Sequence, residues 1–574
     1  MRTTEKNAGR HKPGSDRETR FVLRGILLVL LGGGGGIAFM LFREMKTGMS
    51  MGSDLPFHLA RMDSLAISLK SGIFPAKLRP VLCNTYGYGV GFFYSDALLY
   101  FPAGLICAGV GLLTAVKVYL VVLLLLCFFL TIRGVYALTR DFCASVLSGV
   151  FSLLSLELWG ELNYGFTFGT VCASVFLPVT FCAFIKIMKG AAGRKSEAAF
   201  ILGMSLILWS HHTTLLLTVA MMLLLFLLSI REIIQFPERF WMLLRDAVFA
   251  VLLTIEYWLP AAEQALKQTF VATGRTYLPV SKNTMTLFQT LNSAGSLVIF
   301  LLAFGTTVWV YGMIWRKKNQ EELFLALTGM WFGLILMPFS WIWKTFHQQL
   351  NFIQSPGRLM TVVSALASIA LGIVFADVTR EYDRRWKGKK KYLFYLISYA
   401  MLISISVRQD MKLTLPFTIE DRYYDNGRLS FEINGLGSGS EWLPVETAAE
   451  ELTEPDTALS SDRKSGYPGT KKDFGKSFEV YLPAGEEYST MPYLYYYGYR
   501  AYLLNDADGT KRELKVDKSP YNGQVRVYLP QESNENQFLH VVVAYRKTWA
   551  QIMSYLISAF TALGLLFFYF RKNK

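Results

Sequence analysis

Long apolar runs separated by short basic segments fill the first four hundred residues, after which polar and apolar positions alternate until a last apolar run near the C-terminus. Several runs approach the ~20 residues needed to cross a ~30 Å hydrocarbon core. The pattern predicts a polytopic α-helical membrane protein. Spans are expected over 21–42, 115–135, 143–159, 165–186, 198–211, 213–230, 246–259, 293–315, 321–340, 356–376, 391–407 and 549–570, twelve crossings in all.

A further apolar stretch, 97–113, decides the threading. If it crosses, Arg133 with Arg140 and the group Lys186, Lys189, Arg194 and Lys195 fall outside the cell, as do the later basic clusters. If it lies in the interface or re-enters, all of these fall inside, together with the clusters in 316–318, 380–391 and 571–574, as the positive-inside rule favours. The second threading places both termini in the cytoplasm. Whether 97–113 crosses stays open at this point.

The expected organisation is a basic cytoplasmic tail over 1–20, a transmembrane domain over 21–407 with a first external loop at 43–96, an extracytoplasmic β-rich domain over 408–548, and a final span with a cytoplasmic tail over 549–574. The apolar run after the tail is too long for a signal-peptide core and lacks a small-residue cleavage site, so a retained signal anchor is expected. Glycines 32–36 offer a face for close helix packing. In the late polar region, SFEVYLP and GQVRVYLP alternate between turn signals such as NGLGSG and NDADG, which predicts strands.

Composition agrees with the apolar pattern: 52% of residues are hydrophobic, above the ~45–50% of soluble domains. The formal charge of +15 gathers between spans, where it specifies orientation, so no nucleic-acid partner is expected. Five of the six cysteines lie in apolar segments without paired spacing. They read as packing residues, not as disulfides or a zinc site.

Candidate chemistry begins at 52–75, directly after the first span. As a helix, this segment places Asp54, His58 and Arg61 on one face at i, i+4 and i+7, beside an apolar stripe of Leu55, Leu59, Met62, Ala66 and Leu69 suited to a membrane surface. A carboxylate there is the leading catalytic candidate. An amphipathic surface helix with Asp54 as its N-terminal cap accounts for the same residues. The segment 84–102, NTYGYGVGFFYSDALLYFP, supplies Tyr86 and Tyr88 among glycines, to stack on sugar rings or to anchor an interfacial turn.

At other external span ends, SHH contributes His211 and His212, and HQQLNFIQSPGR contributes His347, Gln354 and Arg358. Arg358, at the start of an apolar span, suits a phosphate through paired guanidinium hydrogen bonds, or else snorkels or forms a buried ion pair. Consecutive helical histidines point ~100° apart and cannot share one ion without a helix break. Glu157, Glu161, Glu256 and Glu263 also lie near the outer face. No metal ligand set is legible, which leaves a divalent cofactor open.

Six strings keep their order along nearly the whole chain: DxxxHxxR at Asp54, His58 and Arg61, YGYG at 86–89, SHH at 210–212, IQSPGR at 353–358, EWLP at 441–444 and MPYLYYYGYRA at 491–501. On these residues the chain resembles the YfhO-like bacterial membrane proteins, within the GT-C type glycosyltransferase superfamily. Related proteins sometimes carry a 6-pyruvoyl-tetrahydropterin synthase-related label, but no zinc-histidine cluster supports pterin chemistry here. The sequence departs from the family at FYSD, where Ser95 and Asp96 stand in place of a common proline, and at SPGR, where a more aromatic form is usual.

The resemblance implies a GT-C-like helical domain in the bacterial cytoplasmic membrane. It further implies transfer of a monosaccharide from a polyprenyl-phosphate donor to a cell-envelope polymer or glycolipid on the outer face, with inversion. Asp54 would be the base, Arg358 and Arg61 would hold the donor phosphate, and His58, His211, His212, Tyr86, Tyr88 and Gln354 would orient substrates. A cytoplasmic-side polyprenyl-phosphate glycosyltransferase would load the donor. The rival readings are a lipid-linked sugar flippase, which needs no base, and a non-catalytic scaffold for envelope assembly.

Overall fold

A computed structural model describes residues 54–274, 279–314, 320–385, 440–448, 451–531 and 538–570, with a few isolated positions between 397 and 429. The helices used below are α1 (Leu55–Lys70), α2 (Tyr100–Cys107), α3 (Leu112–Thr139), α4 (Phe142–Leu153), α5 (Leu156–Gly160), α6 (Phe168–Met188), α7 (Arg194–Ser210), α8 (His212–Leu228), α9 (Glu238–Leu253), α10 (Ile255–Lys267), α11 (Leu287–Ile314), α12 (Gln320–Leu336), α13 (Leu359–Arg385) and α14 (Trp549–Phe570).

Six helices among the described residues are long and apolar enough to cross a bilayer: Leu112–Thr139, Phe142–Gly160, Phe168–Met188, Leu287–Met313, Pro356–Glu381 and Trp549–Tyr569. The twelve-span expectation is therefore met only in part. α8, the match to 213–230, is apolar but shorter, and α7 and α12 have 17 residues each. The expected span 246–259 is divided by a helix junction at Thr254. The expected spans 21–42 and most of 391–407 lie outside the described residues, as do the basic tail and the clusters at 316–318 and 571–574.

The stretch 97–113 contains α2, eight residues long. At 1.5 Å per residue it covers ~12 Å, well short of a ~30 Å core, so α2 does not cross. It packs instead against α1.

The two ends of the bundle differ in chemistry. Between α3 and α4, Arg140 adopts a left-handed backbone with φ 57° and Asp141 caps α4 by accepting from the Ala144 N–H at 3.0 Å. Arg380 bonds the Thr139 carbonyl, Lys189 pairs with Glu232 at 2.9 Å and Glu321 at 3.0 Å, and Arg239 donates to the Met188 carbonyl at 2.7 Å. These basic loops share one end. The opposite end carries the turns at 161–167, 210–212 and 337–358, the first loop and the β region.

Nine strands, β1 (Thr457–Leu459), β2 (Gly466–Lys472), β3 (Ser477–Pro483), β4 (Tyr488–Leu494), β5 (Tyr499–Leu504), β6 (Lys511–Leu514), β7 (Val516–Lys518), β8 (Gln524–Tyr528) and β9 (Phe538–Tyr545), pair antiparallel in the order 6-5-9-3-2-1-4-8-7. Alternation puts Phe478, Val480 and Leu482 of β3 inward, where they share one core with Met491 and Tyr493 of β4 and Val525 and Val527 of β8. Tyr493 and Tyr499 are buried in this core, whereas Tyr496 is buried in a second cluster shared with the first loop.

The β region is fastened to the helices by backbone-like bonds. Gln264 of α10 donates to the Tyr497 carbonyl at 2.7 Å and accepts its N–H at 2.9 Å, as a neighbouring strand would. Gln268 adds a bond to the Tyr495 carbonyl at 2.9 Å, and Phe270 bridges Pro444.

Candidate functional site

α1 opens on Asp54 with a proline in its first turn, a preferred start. The Asp54 side chain makes no capping bond to its own helix, so the N-cap reading does not account for its carboxylate. Its backbone N–H donates to the Gly165 carbonyl at 3.0 Å, which seats Asp54 on the π-helical turn Glu161–Gly165. Such turns recur at functional sites.

The sequence expected α1 to rest on a membrane surface. It is instead enclosed by protein, with Leu55, Leu59, Met62 and Ala66 buried on one side and His58 and Arg61 buried on the other. The i, i+3 pair touches, with Arg61 Nη1 3.4 Å from His58 Nδ1. Burial first, then the Arg61 charge, hold His58 well below the usual imidazole range, so it is neutral.

Arg61 is committed elsewhere than to an open anion pocket. Its guanidinium donates to the Ser95 carbonyl at 3.1 Å, lies 3.5 Å from Asp96, and covers the Tyr94 ring at 4.9 Å. Asp96 also pairs with the fully buried Arg79 at 2.5 Å. The FYSD string thus supplies the acid that fixes both arginines.

Arg358 follows a strained turn. Gln354 adopts φ 64°, in a region that side chains other than glycine seldom occupy, and its Oε1 accepts from Arg358 Nη2 at 2.5 Å. Ser355 accepts from the Gly357 N–H at 3.2 Å and starts the short turn that leads into α13. Arg358 lies in the electrostatic field of Glu161, Tyr94, Asp54 and Glu441.

Glu161, Tyr94 and Glu441 are the site groups that sequence reasoning missed. Glu161 was one of four outer-face acids, Tyr94 stood inside an aromatic run and Glu441 inside EWLP. Glu161 accepts from the Thr167 hydroxyl, and burial, opposed by Arg358 and assisted by Asp54, pushes its carboxyl up to about 7. Tyr94 donates to Glu441 Oε2 at 2.9 Å. Burial also raises Glu441, with Asp54 acting in the same direction and the Tyr94 bond and Arg358 against it.

Glu441 is held by its neighbour. Trp442 stacks on Phe93 with ring centres 4.1 Å apart, and its backbone N–H donates to the Tyr88 hydroxyl at 3.2 Å. The cluster therefore draws on five segments: α1, the first loop, the π-turn, the turn before α13 and the approach to the β region. Asp54, Tyr94, Glu161, Gln354, Arg358 and Glu441 are each partly exposed, whereas His58 and Arg61 are buried behind them.

His211 joins this end of the bundle, hydrogen-bonded to Thr214 at 2.8 Å and Thr170 at 3.4 Å and within the field of Arg358 and His58. The helix break that a shared ligand role would need is present, since His211 is extended between α7 and α8. His212 is exposed, its ring 5.6 Å from that of His211. Among the described residues, no three His, Cys, Asp or Glu side chains gather as a metal site. His347 is exposed and bonds the Lys344 carbonyl at 3.0 Å.

Tyr86 and Tyr88 lie at the seam between the first loop and the β region, with Tyr88 behind Trp442. The Tyr86 carbonyl accepts from the Leu494 N–H at 2.9 Å, and the Lys471 ammonium lies 5.5 Å from the Tyr86 ring centre. Tyr88 is fully buried. The glycines of YGYG serve the same seam: Gly87 has φ +86°, and a Cβ on Gly89 would lie 2.4 Å from the Tyr496 ring.

No protein-family model matches the chain, and no curated protein matches it. Among solved structures, the chain is similar to the single-particle cryo-EM structure of the arabinosyltransferase EmbB from Mycobacterium smegmatis, with 12% identity and a TM-score of 0.33. The overlay covers 96% of this chain and 65% of that one. An overlay this loose transfers neither a residue role nor an activity.

Proposed function

We propose that this chain is a GT-C type membrane glycosyltransferase that moves a monosaccharide from a polyprenyl-phosphate donor to an envelope polymer or glycolipid. The observation that carries the reading is that Asp54, seated on the Glu161–Gly165 turn, and Arg358, at the start of α13, lie within electrostatic reach of each other at the end of the bundle opposite its basic loops. By the positive-inside rule the site then faces out of the bacterial cytoplasmic membrane. Nucleotide sugars are absent there, and a lipid phosphate brings its own leaving group. The ordered YfhO-like strings support the same reading.

In the proposed step, Asp54 takes the proton of an acceptor hydroxyl while that oxygen attacks the anomeric carbon. The bond from that carbon to the phosphate oxygen breaks, and the phosphate leaves with the electron pair. Arg358, aligned by Gln354, offsets the charge on the departing phosphate. A single displacement inverts the anomeric carbon. His58 and Arg61 support the wall behind Asp54, and His211 and His212 would orient the sugar.

Three carboxyl groups around one guanidinium would repel a phosphate if all were ionised. The proton affinity of Glu161, raised to about 7, lowers that repulsion near neutral pH. The flippase remains a second reading because Glu157 lies within a candidate span.

The test is mass spectrometry of envelope polymers and lipid-linked sugars from cells lacking the protein, restored with wild type or Asp54→Asn. Loss of one glycosylation, accumulation of its lipid-linked donor and rescue by wild type alone are expected. Equal rescue by both forms would assign transport or scaffolding instead.

A further inference from the structure

Inside the bundle, below Glu161, lies a cavity of about 20 Å³, large enough for one water-sized occupant. Six of its ten lining residues carry a side-chain oxygen: Ser152, Ser155, Glu157, Ser174, Thr361 and Ser364, from α4, the α4–α5 junction, α5, α6 and α13. Glu157 Oε1 accepts from the Thr361 hydroxyl at 2.9 Å, and the charged group acting on this carboxylate is another acid, Glu161. An uncompensated carboxylate among apolar helices is costly.

Two backbone irregularities meet at the same cavity. The candidate span Phe142–Gly160 is interrupted between α4 and α5, where Ser155 takes an extended conformation and its hydroxyl accepts from the Leu158 N–H at 3.2 Å. Non-helical backbone at membrane depth is tolerated where it is buried in protein or lines a polar cavity. In α6, Pro178 lacks the N–H that would bond the carbonyl four residues earlier, which belongs to Ser174. Pro178 and Ser174 both line the cavity.

The hydroxyls add to the surplus of acceptors. Ser174 donates its proton to the Val171 carbonyl at 2.7 Å and Thr361 donates to Glu157, so both oxygens are left with lone pairs. One carboxylate, several hydroxyl oxygens and a helix carbonyl without its usual donor call for a positive occupant. A single carboxylate with neutral oxygens suits a monovalent ion better than a divalent one, which draws on more carboxylate charge. Broken helices around such oxygens are a recurring way to hold sodium within a membrane.

We propose that this cavity is a sodium site, with Glu157 as its charge partner and the α4–α5 break and Pro178 as its frame. The proposal stands apart from the glycosyl-transfer reading, since sodium here compensates a buried carboxylate and touches no reacting group.

The test is thermal unfolding of the full chain in detergent, followed by tryptophan fluorescence at pH 8, with sodium chloride replacing choline chloride at constant ionic strength. A saturable rise of the midpoint with sodium is expected in wild type. Glu157→Gln should abolish that response, and Ser364→Ala should raise the half-saturating sodium concentration several-fold. Equal midpoints in both salts, or an undiminished sodium response in Glu157→Gln, overturn the proposal. If Glu157→Gln does not fold, an unchanged half-saturating concentration in Ser364→Ala overturns it. A midpoint that rises on acidification and ignores sodium assigns the site to a proton and overturns it too.

Discussion

Tyr94 donates its hydroxyl to Glu441 across 347 residues of chain, joining the first loop to the segment that precedes the β region. A hydrogen bond to a charged group is worth ~1.5–3 kcal/mol. Tyr94→Phe should therefore lower the thermal midpoint and weaken acceptor use, because Glu441 loses its fixed position beside Asp54 and Arg358. Wild-type acceptor KM in that variant would remove Glu441 from substrate binding.

Asp54→Asn keeps the size of the side chain and removes the base. A positioned general base contributes ~10²–10⁴-fold, so kcat should fall by about that factor while thermal unfolding is unchanged. Turnover measured with a lipid-linked donor and purified protein checks this, and retained turnover excludes Asp54 as the base.

Arg358→Ala should raise the donor KM far more than the acceptor KM. Arg358→Lys should restore only part of the loss, since an ammonium lacks the planar pair of donors that guanidinium offers to phosphate. Unchanged donor kinetics in the alanine variant would argue against a phosphate contact.

Glu161 carries its own pH signature. Its folded-state proton affinity is raised from 4.5 to about 7, so the folded chain binds more protons than the unfolded chain between those values. Stability linked to this group is full below ~4.5 and declines as pH rises through about 7. Glu161→Gln should flatten the dependence of the thermal midpoint on pH in that window and shift any limb of the kcat/KM profile near neutrality. An identical pH dependence in the variant would show that another group titrates there.

Gly89→Ala probes the seam between the first loop and the β region. The added methyl meets the Tyr496 ring, which is fully buried and cannot swing away. Overpacking of this kind costs ~1–3 kcal/mol. Faster proteolytic cutting within the first loop is expected, and unchanged cutting would show that the seam adapts.

The helical domain and the strands were legible because each rests on a local period: apolar runs for α3, α6 and α13, and alternation for β3 and β8. The helical spacing likewise brought His58 and Arg61 into contact on one side of α1. The burial of that helix was not legible, since its polar residues are matched by partners from distant segments, as Asp96 matches Arg61 and Arg79. YGYG announced a special backbone, but its tyrosines read equally as sugar platforms or as anchors, and the structure places them against the β region. Beside the six helices of spanning length, three expected spans match the 17-residue helices α7, α8 and α12, one is divided by the helix junction at Thr254, which hydropathy does not register, and 21–42 and most of 391–407 lie outside the described residues.

The pairing of Gln264 with both backbone groups of Tyr497 has a consequence for biosynthesis. Helix α10 leaves the ribosome long before its partner does, so it must wait with an unmatched amide until the strands that follow have formed. A chain halted at the end of α13 would carry Asp54 and Arg358 yet lack Glu441 and the β4–β5 turn that steadies α10. Completion of the polypeptide thus sets the moment at which the cluster is assembled, and shortened products would lack one of its three carboxyl groups.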